Sequence, residues 1–296
     1  MAQKTPIWQF KAYQNWVKTI LISELVESNE TVAEFCCGTG LETGKWERSK
    51  IKKYYGFDHS QESLAEAESK WKQKSCPYDA EFIKLQLTTE RIEHFINNNS
   101  SHTSGSNTTK SITGGGSPDS LFDVVSCFDG MQNAFIDYDH ANTFIKNASS
   151  RLKVGGFFFG IIPDSSSIWY KSQKVTSGLP CVKSSLFSIE FDSEIFNFFG
   201  CKYNLSMKDG SKIQENLIHF PSFINLCKSH DLVLVEATNL NDFYEENKKN
   251  YESKLKQCGV MVGKNKIDPA QMELISLYTT FIFVKEVKEP KAIDMN

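Results

Sequence analysis

Apolar residues recur along this chain with two spacings that alternate over the first half of the sequence. Between residues 10 and 25, apolar side chains three or four positions apart predict one amphipathic helix. The next apolar run, "TVAEFCC" at 31–37, is short and continuous, which is typical of a strand buried on both faces. Strands that alternate with helices in this way predict a mostly parallel sheet with helices on both faces.

Five strands are predicted before residue 165, with helices between them. The strands are "TVAEFCC" (31–37), "KKYYGFD" (52–58), "AEFIKLQL" (80–87), "LFDVVSCFD" (121–129) and "GGFFFGIIPD" (155–164), the last opened by a Gly-Gly turn. The helices are "LETGKWERSK" (41–50), a segment capped by Ser60 that runs through Trp71, "TERIEHFI" (89–96) and "DYDHANTFIKNASSRL" (137–152).

The pattern changes after Asp164. Two segments, 185–191 and 199–207, are predicted to be paired antiparallel strands. The rest of the chain is predicted to hold a helix at 221–230, a strand at 232–240, one long charged helix at 241–257 and a final strand at 276–285. The predicted fold class is therefore α/β, with a doubly wound, mostly parallel seven-stranded sheet and an antiparallel insertion in the C-terminal half.

Composition favours one large domain over 1–296. Of the 296 residues, 40% are hydrophobic, which is enough for a sizeable single core. The stretch 97–120 differs from the rest because its Asn, Ser, Thr and Gly residues offer almost nothing apolar to bury. We therefore predict a disordered surface insert at 97–120.

Charge and cysteine usage exclude several classes of protein. No apolar run reaches the length of a membrane-spanning helix and the N-terminus lacks a signal-peptide pattern, so we expect a soluble, intracellular protein without a membrane partner. The eight cysteines are scattered without C-x-x-C spacing, which predicts reduced thiols and no metal site. A formal charge of -3 argues against extended wrapping of nucleic acid, but it is compatible with gripping one nucleotide or a short RNA end.

The junction between the first strand and the next helix carries the clearest chemical signal. In "EFCCGTGLE" (34–42), Gly38 and Gly40 let the backbone approach a ligand, and the following helix N-terminus favours an anionic group. Asp58 ends the second strand, where it can accept hydrogen bonds from two ribose hydroxyls. The dinucleotide pattern G-x-G-x-x-G fails, because Gly44 comes one position late and Glu42 would repel a pyrophosphate. A methyl donor with a ribose, an amino-acid tail and a positive sulfonium fits better than NAD.

Longer stretches carry a family resemblance. They are "YQNWVKTILI", "KWERSKIKKYYGFDHS", "LKVGGFFFGIIPDSSSIWYKSQK", "FGCKYNLSM", "HFPSFINLCKS", "LNDFYEEN" and "SLYTTFIFVK", from about Tyr13 to Lys285. In these stretches the chain resembles the eukaryotic mRNA cap guanine-N7 methyltransferase family, most closely its shorter plant-type branch. The resemblance implies the Rossmann-like fold of class I S-adenosylmethionine-dependent methyltransferases, with S-adenosylmethionine as cofactor and S-adenosylhomocysteine as product.

The resemblance also implies roles for individual residues. On the cofactor side they are Lys18, which would meet the S-adenosylmethionine carboxylate, Asp58, which would bind the ribose, and Cys36, Gly38, Gly40, Gln86, Phe128 and Asn133. On the cap side they are Gln14, Asn15, Thr39, Gln132, Glu215, which would recognise the guanine, and Tyr278, which would lie against the cap. Residues 1–164 would then mainly bind the cofactor, and 165–296 mainly the cap.

Several of these positions depart from the family pattern. In the glycine loop, a glycine, a lysine and an aspartate are replaced by Cys36, Thr39 and Glu42. After the fourth strand, a glutamine and a His-Tyr pair are replaced by Phe128, Gln132 and Asn133, and Gln86 replaces an aspartate near the adenine. These changes weaken the cap grip and the cofactor pocket. Cations that could steer the cap phosphates are Lys45, Arg48, Lys50, Lys52 and Lys53.

The implied activity is methyl transfer from S-adenosylmethionine to N7 of the 5′ cap guanosine of mRNA. It requires no catalytic acid, base or covalent nucleophile, because guanine N7 has an in-plane lone pair and no proton. Two alternatives stay open: a weakly active or inactive relative that binds the cap or a partner, and a methyltransferase for another RNA or a small molecule. The family also implies a nuclear location and contact with the capping or transcription machinery.

Overall fold

The computed structural model describes residues 5–96, 121–174, 178–261 and 267–287, so the insert predicted at 97–120 lies outside the described residues. In chain order the strands are β1 (Thr31–Phe35), β2 (Lys53–Asp58), β3 (Asp79–Lys84), β4 (Phe122–Cys127), β5 (Leu152–Pro163), β6 (Cys181–Lys183), β7 (Phe187–Phe191), β8 (Lys202–Met207), β9 (Lys212–Asn216), β10 (Leu232–Glu236) and β11 (Tyr278–Lys285). The α-helices are α1 (Trp8–Leu25), α2 (Thr43–Ser49), α3 (Gln61–Gln73), α4 (Glu93–Ile96), α5 (Tyr138–Ser150), α6 (Ser165–Ser172), α7 (Phe220–Ser229), α8 (Leu240–Asn247), α9 (Glu252–Gln257) and α10 (Pro269–Ile275), and a 3-10 helix spans Met131–Ile136.

Seven strands form the main sheet in the order β10-β11-β5-β4-β1-β2-β3. The pairs from β5 to β3 are all parallel, whereas β11 is antiparallel to both β5 and β10. The predicted doubly wound, mostly parallel α/β fold is therefore confirmed. Because the chain winds from β1 towards β3 on one side and from β4 towards β5 on the other, the strand order reverses between β1 and β4. Ligands of such sheets bind beyond the carboxyl ends of the strands at this point.

A second, antiparallel sheet has the order β6-β7-β8-β9, which confirms the predicted antiparallel insertion. The segments predicted at 185–191 and 199–207 contain β7 and β8. The sequence did not indicate β6, which has only three residues, or β9, whose "KIQEN" is mostly polar and lies at the sheet edge. In the register of β8 and β9, Tyr203 stands opposite Glu215.

The single charged helix predicted at 241–257 is wrong, because the chain forms two helices there. α8 ends at Asn247 and α9 begins at Glu252. The break lets the Tyr251 carbonyl accept a hydrogen bond of 3.3 Å from the Trp16 indole of α1, and Leu255 of α9 is fully buried. Packing against α1 thus overrides the helical propensity of the charged run.

Buried side chains alternate between the two faces of the main sheet. On β4, Val124 belongs to one hydrophobic cluster and Val125 to another, and on β1 Val32 and Ala33 divide in the same way. Helix α1 and the second sheet share the cluster of Val124, whereas α5 packs into the cluster of Val125. Within the described ranges, no helix is long and apolar enough to cross a membrane.

Candidate active site

Two neighbouring cavities lie beyond the carboxyl ends of the main-sheet strands. Cavity I has a volume of about 360 Å³, and its lining includes Cys36, Asp58, His59, Gln86, Thr88, Gly130 and Asn133. Cavity II has a volume of about 200 Å³, and its lining includes Phe10, Lys11, Gln14, Lys18, Phe128, Asp129, Glu215 and Tyr278. The two come together in the loop after β4, where Asp129 lines cavity II and the next residue, Gly130, lines cavity I.

The loop after β1 turns through three residues with positive φ, namely Cys36 (54°), Gly38 (52°) and Gly40 (69°). A Cβ atom at Gly40 would lie 2.9 Å from the Cα and Cβ atoms of Ala67, so Gly40 is needed for packing against α3. A Cβ atom at Gly38 would have no neighbour within 4 Å. The predicted approach of a ligand to Gly38 and Gly40 stays a prediction, since neither glycine is among the residues that line the two cavities.

Asp58 is held in a fixed orientation at the edge of cavity I. One carboxylate oxygen accepts the backbone N–H of Gly38 at 2.9 Å, and the other accepts that of Ser60 at 2.9 Å. The side chain is only 6% exposed. Because an ionised carboxylate has about four acceptor positions, two remain for a ligand in the cavity. Asp58 can therefore receive a pair of hydroxyl groups, as a ribose presents them.

Cys36, Gln86 and Asn133 also line cavity I, on three different loops. A hydrogen bond with Cys127 and burial raise the pKa of the Cys36 thiol well above its ordinary value. Cys36 thus contributes a neutral, weakly polar wall rather than a nucleophile. His59, Thr88 and His140 line the same cavity, and sequence reasoning had missed them.

Lys18, Glu42 and Lys45 form a buried ion cluster next to the glycine loop. The Lys18 ammonium lies 2.8 Å from one Glu42 oxygen, and Lys45 pairs with the other oxygen. Burial opposes ionisation of Glu42, but the two lysines outweigh it and lower the pKa of that carboxyl. Glu42 is therefore an anion that fixes Lys18 at the wall of cavity II, a role that sequence reasoning had not given it.

A second buried carboxylate, Glu34, lies on β1. One of its oxygens accepts hydrogen bonds from the Trp46 indole at 2.9 Å and from the Tyr54 hydroxyl at 2.8 Å. Burial and the neighbouring Glu42 raise the pKa of Glu34 to about 7. The protonation of Glu34 consequently changes close to neutral pH.

Glu215 presents a buried carboxylate to cavity II from the edge strand β9. Tyr203 donates its hydroxyl to one oxygen, and the Gln132 side-chain amide donates to the other at 2.8 Å. Burial raises the pKa of Glu215, while these two hydrogen bonds act in the opposite direction. Two donors thus hold the carboxylate at the cavity wall, where it can accept further hydrogen bonds from a ligand.

Aromatic rings form much of the remaining wall of cavity II. Tyr278 begins β11, and its ring centroid lies 5.3 Å from that of Phe10 in α1. The Lys18 ammonium lies 5.3 Å from the ring centroid of Phe128. Burial, with Glu215 and Asp129 nearby, raises the pKa of Tyr278, so its hydroxyl stays neutral. The cavity therefore combines flat apolar surfaces with carboxylate acceptors.

Four predicted positions differ from their expected places. Asn15 is not in the lining of cavity II, because its amide points towards the Cys258 sulfur, 3.5 Å away. Thr39 lies outside both cavities, and its carbonyl and hydroxyl accept hydrogen bonds of 2.8 and 3.2 Å from the Lys70 ammonium. Lys18 and Phe128, predicted for the cofactor side, line cavity II instead, because both face the space between α1 and the loop after β4.

None of the five predicted phosphate-steering cations is among the residues that line cavity I or cavity II. Lys45 is buried against Glu42. Lys52 and Lys53 line a third cavity at the amino ends of β1 to β4, on the opposite edge of the sheet. Lys70, which the sequence did not single out, instead brings a cation to the glycine loop.

Asp129 is a further residue that sequence reasoning had missed. One of its oxygens accepts the Gly130 N–H and the Gln132 amide, each at 2.8 Å. The Gln132 amide therefore joins two carboxylates, Asp129 and Glu215, at cavity II. The available signal was the position of Asp129 directly after β4, since ligand-binding residues follow the strands of such sheets.

Comparison with known proteins gives the family of the chain. The sequence profile of the mRNA (guanine-N(7))-methyltransferase domain matches residues 1–286. The chain belongs to the mRNA (guanine-N7)-methyltransferase family. A family relative named mRNA cap guanine-N(7) methyltransferase 2, from Oryza sativa subsp. japonica, is 32% identical over 284 residues, covering 91% of this chain and 78% of that protein. The protein of the same name from Arabidopsis thaliana is 30% identical over 288 residues, covering 92% of this chain and 76% of that protein.

Solved structures agree on the fold of this guanine-N7 methyltransferase family member. A S-adenosylmethionine-dependent methyltransferase from Clostridium acetobutylicum matches 94% of this chain and 92% of its own, with a TM-score of 0.52 and 15% identity. The likeness at that identity is one of fold, and it confirms the class I methyltransferase architecture. Within the described residues, no group of three or more His, Cys, Asp or Glu side chains is arranged to hold a metal ion.

Proposed function

We propose that this protein transfers the methyl group of S-adenosylmethionine to N7 of the 5′ cap guanosine of mRNA. The observation that carries the proposal is the buried Glu215 carboxylate, which faces cavity II with two donors behind it, beside the cavity that contains Asp58. Family membership supports the same activity. A single chain then holds a ribose acceptor and a guanine acceptor in neighbouring cavities.

Cavity I suits the nucleoside part of S-adenosylmethionine. The free acceptor positions of Asp58 suit the ribose hydroxyls, and Gln86 and Asn133 offer amides on the same wall. Lys18 lines the neighbouring cavity II, where it offers a cation to the amino-acid carboxylate of a cofactor that extends from cavity I, with Glu42 as its ion-pair partner. When bound, the cofactor supplies a methyl group on a positively charged sulfur.

The residues of cavity II have the task of orienting the guanine. Glu215 accepts hydrogen bonds from the N1–H and N2–H groups of guanine, a pattern that adenine cannot supply. Gln132 and Tyr203 hold that carboxylate in place, and Tyr278 packs against the base. Because N7 needs no deprotonation, alignment and electrostatic support are the contributions required of the protein.

The phosphate bridge of the cap needs a cation near the glycine loop. The resemblance places a lysine at the position of Thr39, and here Lys70 reaches that position from α3 with its ammonium on Thr39. We include Lys70 in the proposed site as the cation that replaces the missing lysine, and its ammonium also pairs with the exposed Glu66 at 2.8 Å. A nuclear location and contact with the capping or transcription machinery belong to the same proposal, and they rest on the family resemblance alone.

The test is methyl transfer from labelled S-adenosylmethionine to GpppG-capped RNA, with RNA ending in a triphosphate as the control substrate. Digestion of the product should release N7-methylguanosine only from the capped RNA. A folded protein that forms no N7-methylguanosine would refute the proposal and favour a relative that only binds the cap. Methylation of the uncapped control would indicate another RNA substrate.

A further inference from the structure

The positive charges at cavity II are already neutralised by acidic partners. Lys11 pairs with Asp209 at 2.8 Å, and Lys18 pairs with Glu42 at 2.8 Å. Neither of these two carboxylates is among the residues that line the cavity. A ligand that enters cavity II therefore meets two lysines that each already have an anion in contact.

The carboxylates that do line cavity II have no such partner. In the described parts of the chain, no Lys, Arg or His lies within 4.0 Å of Asp129 or Glu215. Both accept hydrogen bonds from one neutral group, the Gln132 amide. Asp129 also contributes to the raised pKa of Lys18, but that ammonium makes its ion pair with Glu42. Cavity II thus offers more uncompensated negative than positive charge.

Aromatic surfaces face the same space. Phe10, Phe128 and Tyr278 all line cavity II, and the Phe10 and Tyr278 ring centroids are 5.3 Å apart. The Lys18 ammonium already lies 5.3 Å from the Phe128 centroid, so Phe10 and Tyr278 are the rings that remain for a ligand. Aromatic faces attract cations, and the attraction grows where water is excluded. A planar cation that can also donate hydrogen bonds to a carboxylate is consequently the ligand that this wall suits best.

Methylation at N7 turns guanine into a ligand of this kind, a planar cation that donates hydrogen bonds. A methyl group on N7 puts a positive charge on the ring system, and it makes N1–H a stronger hydrogen-bond donor. The carboxylates are the same for both bases, so the difference between the bases is the Coulomb attraction of the new ring charge to Glu215 and Asp129. The product of the proposed reaction therefore fits the charges of cavity II better than its substrate does.

We propose that cavity II binds the N7-methylated cap guanosine more tightly than the unmethylated one, and that Asp129 is the residue that sets this preference. The inference rests on the proposed function, because it uses cavity II as the guanosine site. It goes further by giving the protein a second property, retention of the methylated cap after the reaction. Asp129 stands at the boundary with cavity I, next to Gly130, and its carboxylate is exposed at the mouth of cavity II. Solvent and salt screen an exposed charge, so the preference that it sets should be moderate and should fall as the salt concentration rises.

The test compares dissociation constants for the dinucleotides m7GpppG and GpppG, measured by titration calorimetry in the presence of S-adenosylhomocysteine. We expect about tenfold tighter binding of m7GpppG by the parent protein. Asp129→Asn keeps an oxygen that accepts from Gly130 and Gln132, so local structure should persist while the preference falls to about twofold or less. Asp129→Glu keeps the negative charge, so this variant should keep the parent's preference for m7GpppG. Asp242→Asn, which removes one carboxylate from the first turn of α8, serves as the matched control and should retain the full preference.

Each outcome separates the inference from the proposed function. Equal affinities in a parent protein that still forms N7-methylguanosine would overturn the preference and leave the proposed function standing. A preference that Asp129→Asn does not reduce would overturn the role of Asp129. If neither dinucleotide binds and no N7-methylguanosine forms, the proposed function fails and the inference fails with it.

Discussion

Gln132 and Glu215 are 83 positions apart in the sequence, yet the Gln132 side-chain nitrogen lies 2.8 Å from a Glu215 oxygen. The contact joins the 3-10 helix after β4 in the main sheet to the edge strand β9 of the second sheet. The same nitrogen also donates to Asp129 at 2.8 Å. The geometry of the proposed guanine site therefore depends on one neutral amide at a position where the resemblance places a histidine.

Replacing Gln132 by Met should remove this positioning while keeping the side-chain length. Two carboxylates would lose a donor worth about 1–3 kcal/mol, and we expect KM for capped RNA to rise about tenfold. The affinity for S-adenosylhomocysteine should stay unchanged, because Gln132 does not line cavity I. Gln214→Met, the same change at an exposed position of β9, is the control. Equal losses of both affinities would contradict a role confined to the cap.

Glu215→Gln should impair guanine recognition directly. The amide oxygen can still accept the Tyr203 hydroxyl, but the amide NH2 would then face two donors, the Gln132 side-chain amide and the guanine. The change therefore preserves the side-chain volume and removes the acceptor for both. Loss of a hydrogen bond to a charged group corresponds to about a 10- to 100-fold fall in kcat/KM for capped RNA. The measurement is steady-state methylation beside calorimetric binding of S-adenosylhomocysteine. A parallel fall in cofactor affinity would show that Glu215 supports the fold instead.

The fold was predictable because the alternation of strand and helix patterns is strong, and packing then fixes the rest. β1 to β5 were found because each is a short apolar run. β9 was missed since its "KIQEN" owes its place to pairing with β8, and the break between α8 and α9 was missed since it depends on the contact of Tyr251 with Trp16. Neither contact has a local signature in the sequence.

The sequence also predicted only some of the candidate site residues. Asp58 was found because residues that follow parallel strands gather at one edge of the sheet. Gln86 was predicted from the family resemblance alone, and it lines the same cavity. Gln14 and Lys18 are four positions apart on α1 and line cavity II together, whereas Asn15 is rotated by about 100° from Gln14 and faces Cys258. Asp129 was missed because one aspartate after a strand has no distinguishing pattern. Its proximity to Glu215 through Gln132 exists only in the folded chain.

Gly40→Ala should destabilise the protein more than Gly38→Ala. Both glycines have positive φ, so both changes carry a conformational cost of about 1 kcal/mol. Only the new Cβ at position 40 collides with Ala67, at 2.9 Å, which should add about 1–3 kcal/mol of overpacking strain. Urea denaturation of the two variants checks this difference. Equal destabilisation would mean that α3 shifts freely and that Gly40 has no special packing role.

Glu34→Gln should change how stability depends on pH. The folded protein keeps the Glu34 proton up to about pH 7, whereas the unfolded chain releases it near its ordinary pKa of 4.5. Unfolding therefore releases a proton between these values, and this group lowers the free energy of unfolding as pH rises through that window, by an amount on the order of 3 kcal/mol. The glutamine carries no such titration and can still accept from Trp46 and Tyr54.

The check is the difference in unfolding free energy between Glu34→Gln and the parent, measured at pH 5 and at pH 8. Relative to the parent, the variant should be more stable at pH 8 than at pH 5. Glu47→Gln, which removes one carboxylate from a solvent-exposed pair with Lys74, is the control for losing a glutamate charge. An equal difference at both pH values for Glu34→Gln would show that burial does not raise the Glu34 pKa in the folded protein.

Asp58→Asn should weaken cofactor binding with little effect on the cap. The asparagine has one oxygen in place of two, so it can hold Gly38 or Ser60 but cannot also receive both hydroxyls of a ribose. Two lost hydrogen bonds to a charged acceptor correspond to at least about a 100-fold weaker affinity for S-adenosylhomocysteine, measured by calorimetry. Asp58→Glu and the exposed Asp139→Asn of α5 are the comparisons, and only the second should keep the parent's affinity. If Asp58→Asn binds as tightly as the parent while remaining folded, Asp58 acts only as a brace for the Gly38 loop, and the ribose acceptor must be sought elsewhere on cavity I.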